Sequence, residues 1–263
     1  LAESPATIVN DLALIRPTLL ISVPRIFNRV YDAIRAKMEQ DGGLPRMLFN
    51  MGVSSGIKRR KLARAGKNSV LTNCAFAIAD KLVFKKIRDK FGGRLRVALT
   101  GSAAINPKIA EFFSDVGVPI YEAFGMTEAS PGVTTNTPDY NRSGSCGKAF
   151  DKVTLVIDRA GEDGDSNEGE LIIYGPNVMK GYHNKPEETK QVLSEDGGLR
   201  TGDRAFIDDE GFLYVTGRIK ESFKLENGKY VFPAAIEAEI MMNRYVEQVM
   251  VCGLNKPYTV CII

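Results

Sequence analysis

Tyr121-Glu122-Ala123-Phe124-Gly125-Met126-Thr127-Glu128 ends a βαβ pattern and places a hydroxyl and a carboxylate just beyond it. Upstream, residues 118–124 read as a strand, Gly117 as a helix stop and residues 109–116 as the helix. Asn106-Pro107 supplies that helix with an N-cap followed by proline at the first helical position. Residues 94–100 read as an earlier strand, with apolar Leu95, Val97 and Leu99, and Gly101-Ser102-Ala103-Ala104 as a turn of small residues. Units of this kind build parallel sheets whose ligands sit at the carboxyl ends of the strands. Residues 101–104 and 125–128 both fall at that edge, so a site is expected there on physical grounds alone.

Outward from this unit the texture changes in both directions. Residues 19–23 form a short apolar run closed by Pro24, as a buried strand would. Residues 25–40 have a helical pattern ended by Asp41-Gly42-Gly43, and 46–90 are helix-rich and basic. After about residue 139 the chain turns to strands and tight turns. Residues 152–157 and 170–174 read as one hairpin, across an acidic loop. Residues 204–207 and 211–216 read as another, turning through Asp208-Asp209-Glu210-Gly211. Residues 217–221 read as a linker, 222–231 as extended, 233–243 as helical and 246–253 as a strand. The fold class is α/β: a parallel-sheet βαβ domain with a small β-subdomain, then a small α+β domain. The expected division is 1–138, 139–217 and 218–263.

A chain of 263 residues can bury a large core, and 44% hydrophobic with 25% charged residues is ordinary for a globular protein. A net charge of +3 is too small to imply nucleic acid. The basic run Lys58-Arg59-Arg60-Lys61, with Arg64 and Lys67, is local. A solvated helix face is its ordinary reading, and a membrane-surface patch the other. Cys74, Cys146, Cys252 and Cys261 form no close pair, which fits a reduced, intracellular setting. The expected location is the cytoplasm, with peripheral membrane contact as a further option; oligomeric state stays open. The chain starts at Leu1 without Met and stops at Cys261-Ile262-Ile263 inside an apparent strand, so a fragment of a longer protein is expected.

The string 121–128 is answered downstream by Arg200-Thr201-Gly202-Asp203 and by Gly217-Arg218-Ile219-Lys220. Together they supply an aromatic face for a base, a hydroxyl for phosphate, a carboxylate for a divalent cation and an acid for a ribose diol. A strand, a glycine and a hydroxyl make a turn that can cradle phosphate oxygens. A neighbouring carboxylate suits Mg²⁺, which shares its shell with phosphates and water. Each residue also has a plain alternative. Phe124 could be a core side chain, Thr127-Glu128 a helix N-cap, and Asp203 with Arg218 a hairpin-end salt bridge. Residues 101–104 could be turn chemistry alone.

On these three motifs the chain resembles the adenylate-forming superfamily, from about Ser22 to the last residue. Its nearest flavour is the long-chain fatty acyl-CoA synthetase branch. The resemblance implies an adenylating domain with ATP/AMP, Mg²⁺ and coenzyme A as cofactors, and fatty acid, ATP and coenzyme A as partners. It implies that Gly101, Ser102, Ala103 and Tyr121 lie beside the adenosine. Phe124 would stack on adenine and Gly125 and Thr127 would meet phosphate. Stacking of this kind is worth about 1–3 kcal/mol in nucleic-acid cases. Glu128 would bind the metal, Asp203 the ribose hydroxyls, and Arg218 the ribose or phosphate. Lys220 would be the hinge between two domain orientations, and Thr127, Glu128 and Lys220 the catalytic set. Lys224 aligns with a lysine used when the thiol enters, and Gly228-Lys229-Tyr230 with a loop near the pantetheine arm. Val23-Pro24-Arg25-Ile26-Phe27-Asn28-Arg29-Val30-Tyr31 resembles the entry lining the acyl pocket, with helix-packing aromatics as the alternative.

The reaction implied is attack of a fatty acid carboxylate on the α-phosphorus of ATP, giving acyl-AMP and pyrophosphate. Coenzyme A thiol then displaces AMP. The alternatives are an acyl-AMP ligase or carrier-loading adenylation domain, and a nucleotide-binding relative without turnover. The superfamily's glycine-rich phosphate loop and far C-terminal lysine do not occur in this sequence, so the isolated chain is expected to be inactive. His183 is the only histidine, which leaves no His-based triad or multi-His metal site. Asp163-Gly164-Asp165-Ser166-Asn167 imitates a calcium loop, but Tyr174 stands where its closing Glu belongs, and a solvated turn is expected.

Overall fold

A computed structural model describes residues 7–160, 167–241, 243, 245, 246 and 248–263. Four residues of the calcium-like loop, Asp163, Gly164, Asp165 and Ser166, lie outside the described residues. The chain divides into two compact units, Leu1–Tyr121 and Glu122–Ile263.

The first unit runs α1 (Ile8–Ile15), β1 (Leu19–Ser22), α2 (Pro24–Asp41), α3 (Gly43–Arg64) and α4 (Val70–Ala79). A π-helical turn, Asp80–Phe84, leads into α5 (Lys85–Lys90), then β2 (Val97–Thr100) and α6 (Pro107–Val116). Strands β1 and β2 pair in parallel, Leu19 opposite Val97 through Ser22 opposite Thr100. The βαβ expectation holds. Asn106 caps α6 by accepting from the Lys108 amide at 2.9 Å, with Pro107 at the first helical position. Gly117 ends the helix at φ 85°, a left-handed conformation that glycine adopts without a Cβ penalty. Past it, the Ala98 amide donates to the Pro119 carbonyl at 3.1 Å, which sets β2 beside the approach to the next strand.

An aromatic network fills the space between these helices. Phe113, fully buried, meets Phe27, Phe91 and Phe112 edge-on at centroid separations of 5.8, 5.8 and 5.4 Å. Phe49 links Phe112 to Phe84, which in turn meets Phe76. Offset and edge-on aromatic pairs add about 0.5–1.5 kcal/mol each beyond the area they bury. Phe27, expected near an acyl pocket or in helix packing, is therefore a core side chain. Tyr31, one turn on, borders a cavity of about 370 Å³ with Phe49 and Phe112.

The second unit begins within β3 (Ile120–Gly125), continues through a single 3-10 turn at Thr127–Ala129, and returns as β4 (Gly132–Thr135) and β5 (Lys148–Ala149). Antiparallel pairing sets Phe124 opposite Thr134, and Thr134 opposite Ala149. A four-stranded antiparallel sheet follows in the order β6 (Thr154–Asp158), β7 (Gly169–Tyr174), β8 (Leu199–Ile207), β9 (Leu213–Arg218), with α7 (Pro186–Val192) before β8. Both sequence hairpins are present with shifted bounds: Thr154–Asp158 pairs with 170–174, and 203–207 with Leu213–Arg218. The core is Ala129, Val133, Leu171, Ile173, Leu199, Ala205 and Leu213, which ties the turn after β3 to this sheet. The expected linker differs at its start: Arg204 pairs with Gly217 and Asp203 with Arg218, so β9 runs on through Arg218. Only Ile219–Glu221 forms a separate turn. Beyond it lie the hairpin β10 (Phe223–Lys224) and β11 (Tyr230–Val231), α8 (Pro233–Ile240), and the pair β12 (Met250–Cys252) and β13 (Val260–Ile262). Among the described residues no helix is long and apolar enough to cross a membrane.

Candidate functional site

In the first unit the turn after β2 is built for close approach. Ser102, Ala103 and Ala104 are exposed, and Ser102 holds a left-handed φ of 70°, uncommon for a residue with a Cβ. Directly before Gly101, the Thr100 hydroxyl is buried with no hydrogen-bond partner. An orphaned buried hydroxyl beside an exposed small-residue turn is what a polar ligand at that edge would complete. Tyr121 ends the unit at 6% exposure.

In the second unit the sequence string becomes a strand, a tight corner and a pinned carboxylate. Gly125 is required by its neighbours: a Cβ there would sit 1.9 Å from the Pro131 carbonyl oxygen. That carbonyl accepts from the Met126 amide at 2.9 Å and closes the corner. Thr127 is exposed at its tip. The Glu128 carbonyl accepts from the Met179 amide at 2.8 Å, and the Tyr182 hydroxyl donates to Glu128 Oε1 at 2.8 Å. Asn177 Nδ2 donates to the Ala129 and Gly132 carbonyls, both at 3.1 Å. The loop carrying Asn177, Met179 and Tyr182 therefore fixes both the backbone and the carboxylate of this turn. Donation to Glu128 first, then burial, pushes the Tyr182 phenol above its ordinary range. Phe124 is half-buried and packs against the sheet core.

Asp203 lies on β8, where Leu199, Thr201, Asp203 and Ala205 alternate as buried positions. A bulge interrupts the β7–β8 register here, with Gly202 at φ 70°. The Asp203 amide donates to the Thr201 hydroxyl at 3.0 Å, and that hydroxyl donates to the Leu171 carbonyl at 2.9 Å. Arg218 Nε reaches Asp203 Oδ1 at 2.9 Å; the carboxylate side chain is 5% exposed and the arginine 52%. Burial raises the Asp203 pKa, against the opposing pull of Arg218.

Sequence reasoning left Glu122 and Cys146 without roles, and the tertiary structure gives both a place. Glu122 is buried and accepts the Gly144 amide at 3.1 Å. Asn136, 2% exposed, bridges β3 to the Ser145 carbonyl at 2.6 Å through Nδ2. The Cys146 thiol is pushed up to about 12, by burial first and then by the negative charges of Glu122 and Asp203. Strand β3 and the Asp203 motif, 81 positions apart in the chain, thus bring two carboxylates to bear on one half-buried cysteine. No residue-type motif pointed to this shared thiol; Asp203 itself was marked by Arg200-Thr201-Gly202-Asp203, and β8 buries every second residue through it.

Lys220 is exposed in the turn after β9. Lys224 lies over the Tyr230 ring at 5.3 Å, so the expected pantetheine loop is the turn of the β10–β11 hairpin. Among the described residues there is no cluster of three or more His, Cys, Asp or Glu able to hold a metal. A single oriented carboxylate fits Mg²⁺ carried in with phosphate oxygens, and does not fit a protein-caged ion.

Comparison with known proteins accords with this geometry. Residues 1–183 match the family model "AMP-binding enzyme", and the chain belongs to the AMP-binding enzyme family. Fatty acyl-CoA synthetase A of Dictyostelium discoideum is 34% identical over 251 residues, covering 93% of this chain and 36% of that protein. Long-chain-fatty-acid–CoA ligase 5 of Mus musculus is 35% identical over 249 residues, 93% of this chain and 35% of that protein. The adenylation domain of a carboxylate reductase from Mycobacterium chelonae superposes with a TM-score of 0.71 at 26% identity, covering 99% of this chain and 36% of that one. That of a carboxylic acid reductase from Segniliparus rugosus, in complex with AMP and a co-purified carboxylic acid, gives 0.69 at 25%, covering 99% and 37%. The chain spans little more than a third of the length of these relatives.

Proposed function

We propose that this chain is part of an ATP-dependent long-chain fatty acid–CoA ligase. The carboxylate oxygen of the fatty acid bonds to the α-phosphorus of ATP while the bond to the β-phosphate oxygen breaks and pyrophosphate leaves. The thiol sulfur of coenzyme A then bonds to the acyl carbon, and AMP departs. The observation that carries this reading is the Thr127–Glu128 turn, tied down by Met179 and Asn177 with its carboxylate aimed by Tyr182. Relatives 30–35% identical that are named as long-chain ligases support it.

In this reading the exposed Thr127 hydroxyl binds phosphate oxygen and Phe124 offers its free face to adenine. Glu128 is the residue that would hold Mg²⁺, which when bound offsets charge on the departing pyrophosphate. Asp203 orients the ribose by accepting from its hydroxyls, with Arg218 screening the buried charge between turnovers. Gly101, Ser102 and Ala103 give the nucleoside a surface without bulky side chains, and Tyr121 lies beside the adenosine with them. Region 139–217 is read as a β-rich subdomain, and 218–263 as hinge and smaller domain, with Lys220 at the hinge and Lys224 serving the thiol-accepting orientation. Catalysis here is positioning and charge stabilisation rather than covalent attack by the protein.

The likeness to the carboxylate reductase adenylation domains supports a second reading, in which a tethered carrier thiol replaces free coenzyme A. The test is ATP–pyrophosphate exchange and acyl transfer by the full-length protein with fatty acids of increasing length. Thioester formation that saturates with free coenzyme A supports the ligase. Exchange without any coenzyme A turnover supports carrier loading, and no exchange with any carboxylic acid overturns both.

A further inference from the structure

The helical region of the first unit carries a charge imbalance that adenylation does not use. From Gly42 to Ala79 the sequence has no Asp or Glu and seven Lys or Arg, five of them within Lys58–Arg64. The chain's net charge is +3, so everything outside this stretch sums to −4. Helices α3 and α4 form a hairpin across this span, with Lys67 in its connection. Lys58, Arg59, Lys61 and Lys67 are exposed, and none forms an ion pair among the described residues. Acids facing this hairpin are engaged: Asp115 and Glu111 both pair with Arg60, the latter at 3.1 Å, and Asp80 pairs with Arg88 at 2.6 Å.

Beside this charge lies an uncovered apolar stripe. Val70 and Leu71, at the start of α4, are 77% and 84% exposed. Ile78, two helical turns on, is 51% exposed, and Leu82 beyond it 47%. Lys81 and Lys85 are exposed along the same stretch. Between α3 and α4 opens a cleft of about 800 Å³ bordered by Arg59, Arg60, Lys67, Asn73, Asp80 and Asp115. Arg59 is held there by stacking on Phe76, 4.2 Å from the ring centroid. An apolar helix face flanked by exposed lysines and Arg59 lets acyl chains meet the stripe while phosphate headgroups meet the cations.

We propose that the α3–α4 hairpin docks the protein on an anionic phospholipid surface, with Val70 and Leu71 entering the acyl boundary and Lys58, Arg59, Lys61 and Lys67 meeting lipid phosphates. Nucleic acid would use the same charge but not the apolar stripe, so the stripe decides for lipid. The proposal is independent of the ligase reading, because its assay involves no turnover.

The experiment is flotation of the chain with vesicles of phosphatidylcholine alone or mixed with phosphatidylglycerol. Binding is expected to the mixed vesicles and not to the neutral ones, and to be lost as salt rises from about 0.1 M to about 1 M. A Lys58→Gln, Lys61→Gln, Lys67→Gln variant should bind roughly a hundredfold more weakly, since each basic residue near such a surface contributes about fivefold. Val70→Ser with Leu71→Ser should also release the protein at unchanged circular dichroism; both side chains point to solvent, so neither change disturbs the core. Failure of the unaltered chain to float with mixed vesicles overturns the proposal. So does equal binding to neutral vesicles, unchanged binding by either variant, or binding competed away by duplex DNA yet indifferent to Val70 and Leu71.

Discussion

Asp203 and Arg218 face each other directly across the β8–β9 pair, carboxylate Oδ1 to guanidinium Nε at 2.9 Å, one side chain 5% exposed and the other 52%. The pair is lopsided: the acid is in the interior and the base at the surface. Burial wins over the arginine, so the folded pKa of Asp203 lies above its unfolded value. A raised carboxylate pKa means that its contribution to stability is full below the ordinary carboxylate range. It is lost as pH rises through the folded pKa. Wherever it is ionised, Asp203 is therefore a cost to stability.

Asp203→Asn should accordingly leave the melting temperature at pH 7 equal to or above that of the unaltered protein, while lowering ATP–pyrophosphate exchange in the full-length protein by at least about tenfold. Calorimetry across acidic to neutral pH, paired with the exchange assay, reads both. A clear loss of stability at pH 7 would make the pair a structural salt bridge instead.

Glu128 and Tyr182 give a graded pair of substitutions. Glu128→Ala should reduce exchange at least about tenfold, and Tyr182→Phe by a few-fold, since one hydrogen bond of about 0.5–1.5 kcal/mol is lost while the carboxylate remains. Tyr182→Phe should also raise the Mg²⁺ concentration for half-maximal exchange. With its phenol pKa pushed upward by Glu128, Tyr182 stays protonated through the neutral range and adds no pH step there. Unchanged Mg²⁺ dependence in both variants would remove the turn from metal binding.

Cys146, with its thiol pushed up to about 12, should resist alkylation at pH 8 in the native protein, whereas exposed Cys74 and Cys261 should react. Peptide mapping after brief iodoacetamide treatment, before and after denaturation, distinguishes them. Rapid native labelling of Cys146 would show that burial and the charges of Glu122 and Asp203 do not hold its thiol protonated.

Gly125→Ala forces a Cβ to within 1.9 Å of the Pro131 oxygen, an atom fixed by its hydrogen bond to Met126. The corner must open, at a cost of about 2 kcal/mol or more. Urea titration should show the midpoint falling with little change in slope.

Much of the fold was legible because its signals are local. Asn106-Pro107 and Gly117 bracket a helix by capping chemistry, and the structure places α6 between them. The hairpin turning through Asp208 and Gly211 follows from the run of turn residues Asp208-Asp209-Glu210-Gly211, and the structure pairs β8 with β9 across it. The linker was misplaced at its start because cross-strand pairing of Gly217 and Arg218 with β8 carries no local mark. The buried place of Phe27 was not legible for the same reason: its partner Phe113 lies in another helix.

The sequence by itself determined the strings that carry chemistry, the order of elements around them and the concentration of positive charge ahead of β2. These depend on residue type and short-range spacing. Only the tertiary structure decided that Tyr182 holds Glu128, that Glu122 and Asp203 both act on Cys146, and that Phe124 rests one face on the sheet core. Such pairings are set by strand register and by loops closing over many residues, and register is a property of two segments meeting, written in neither one alone.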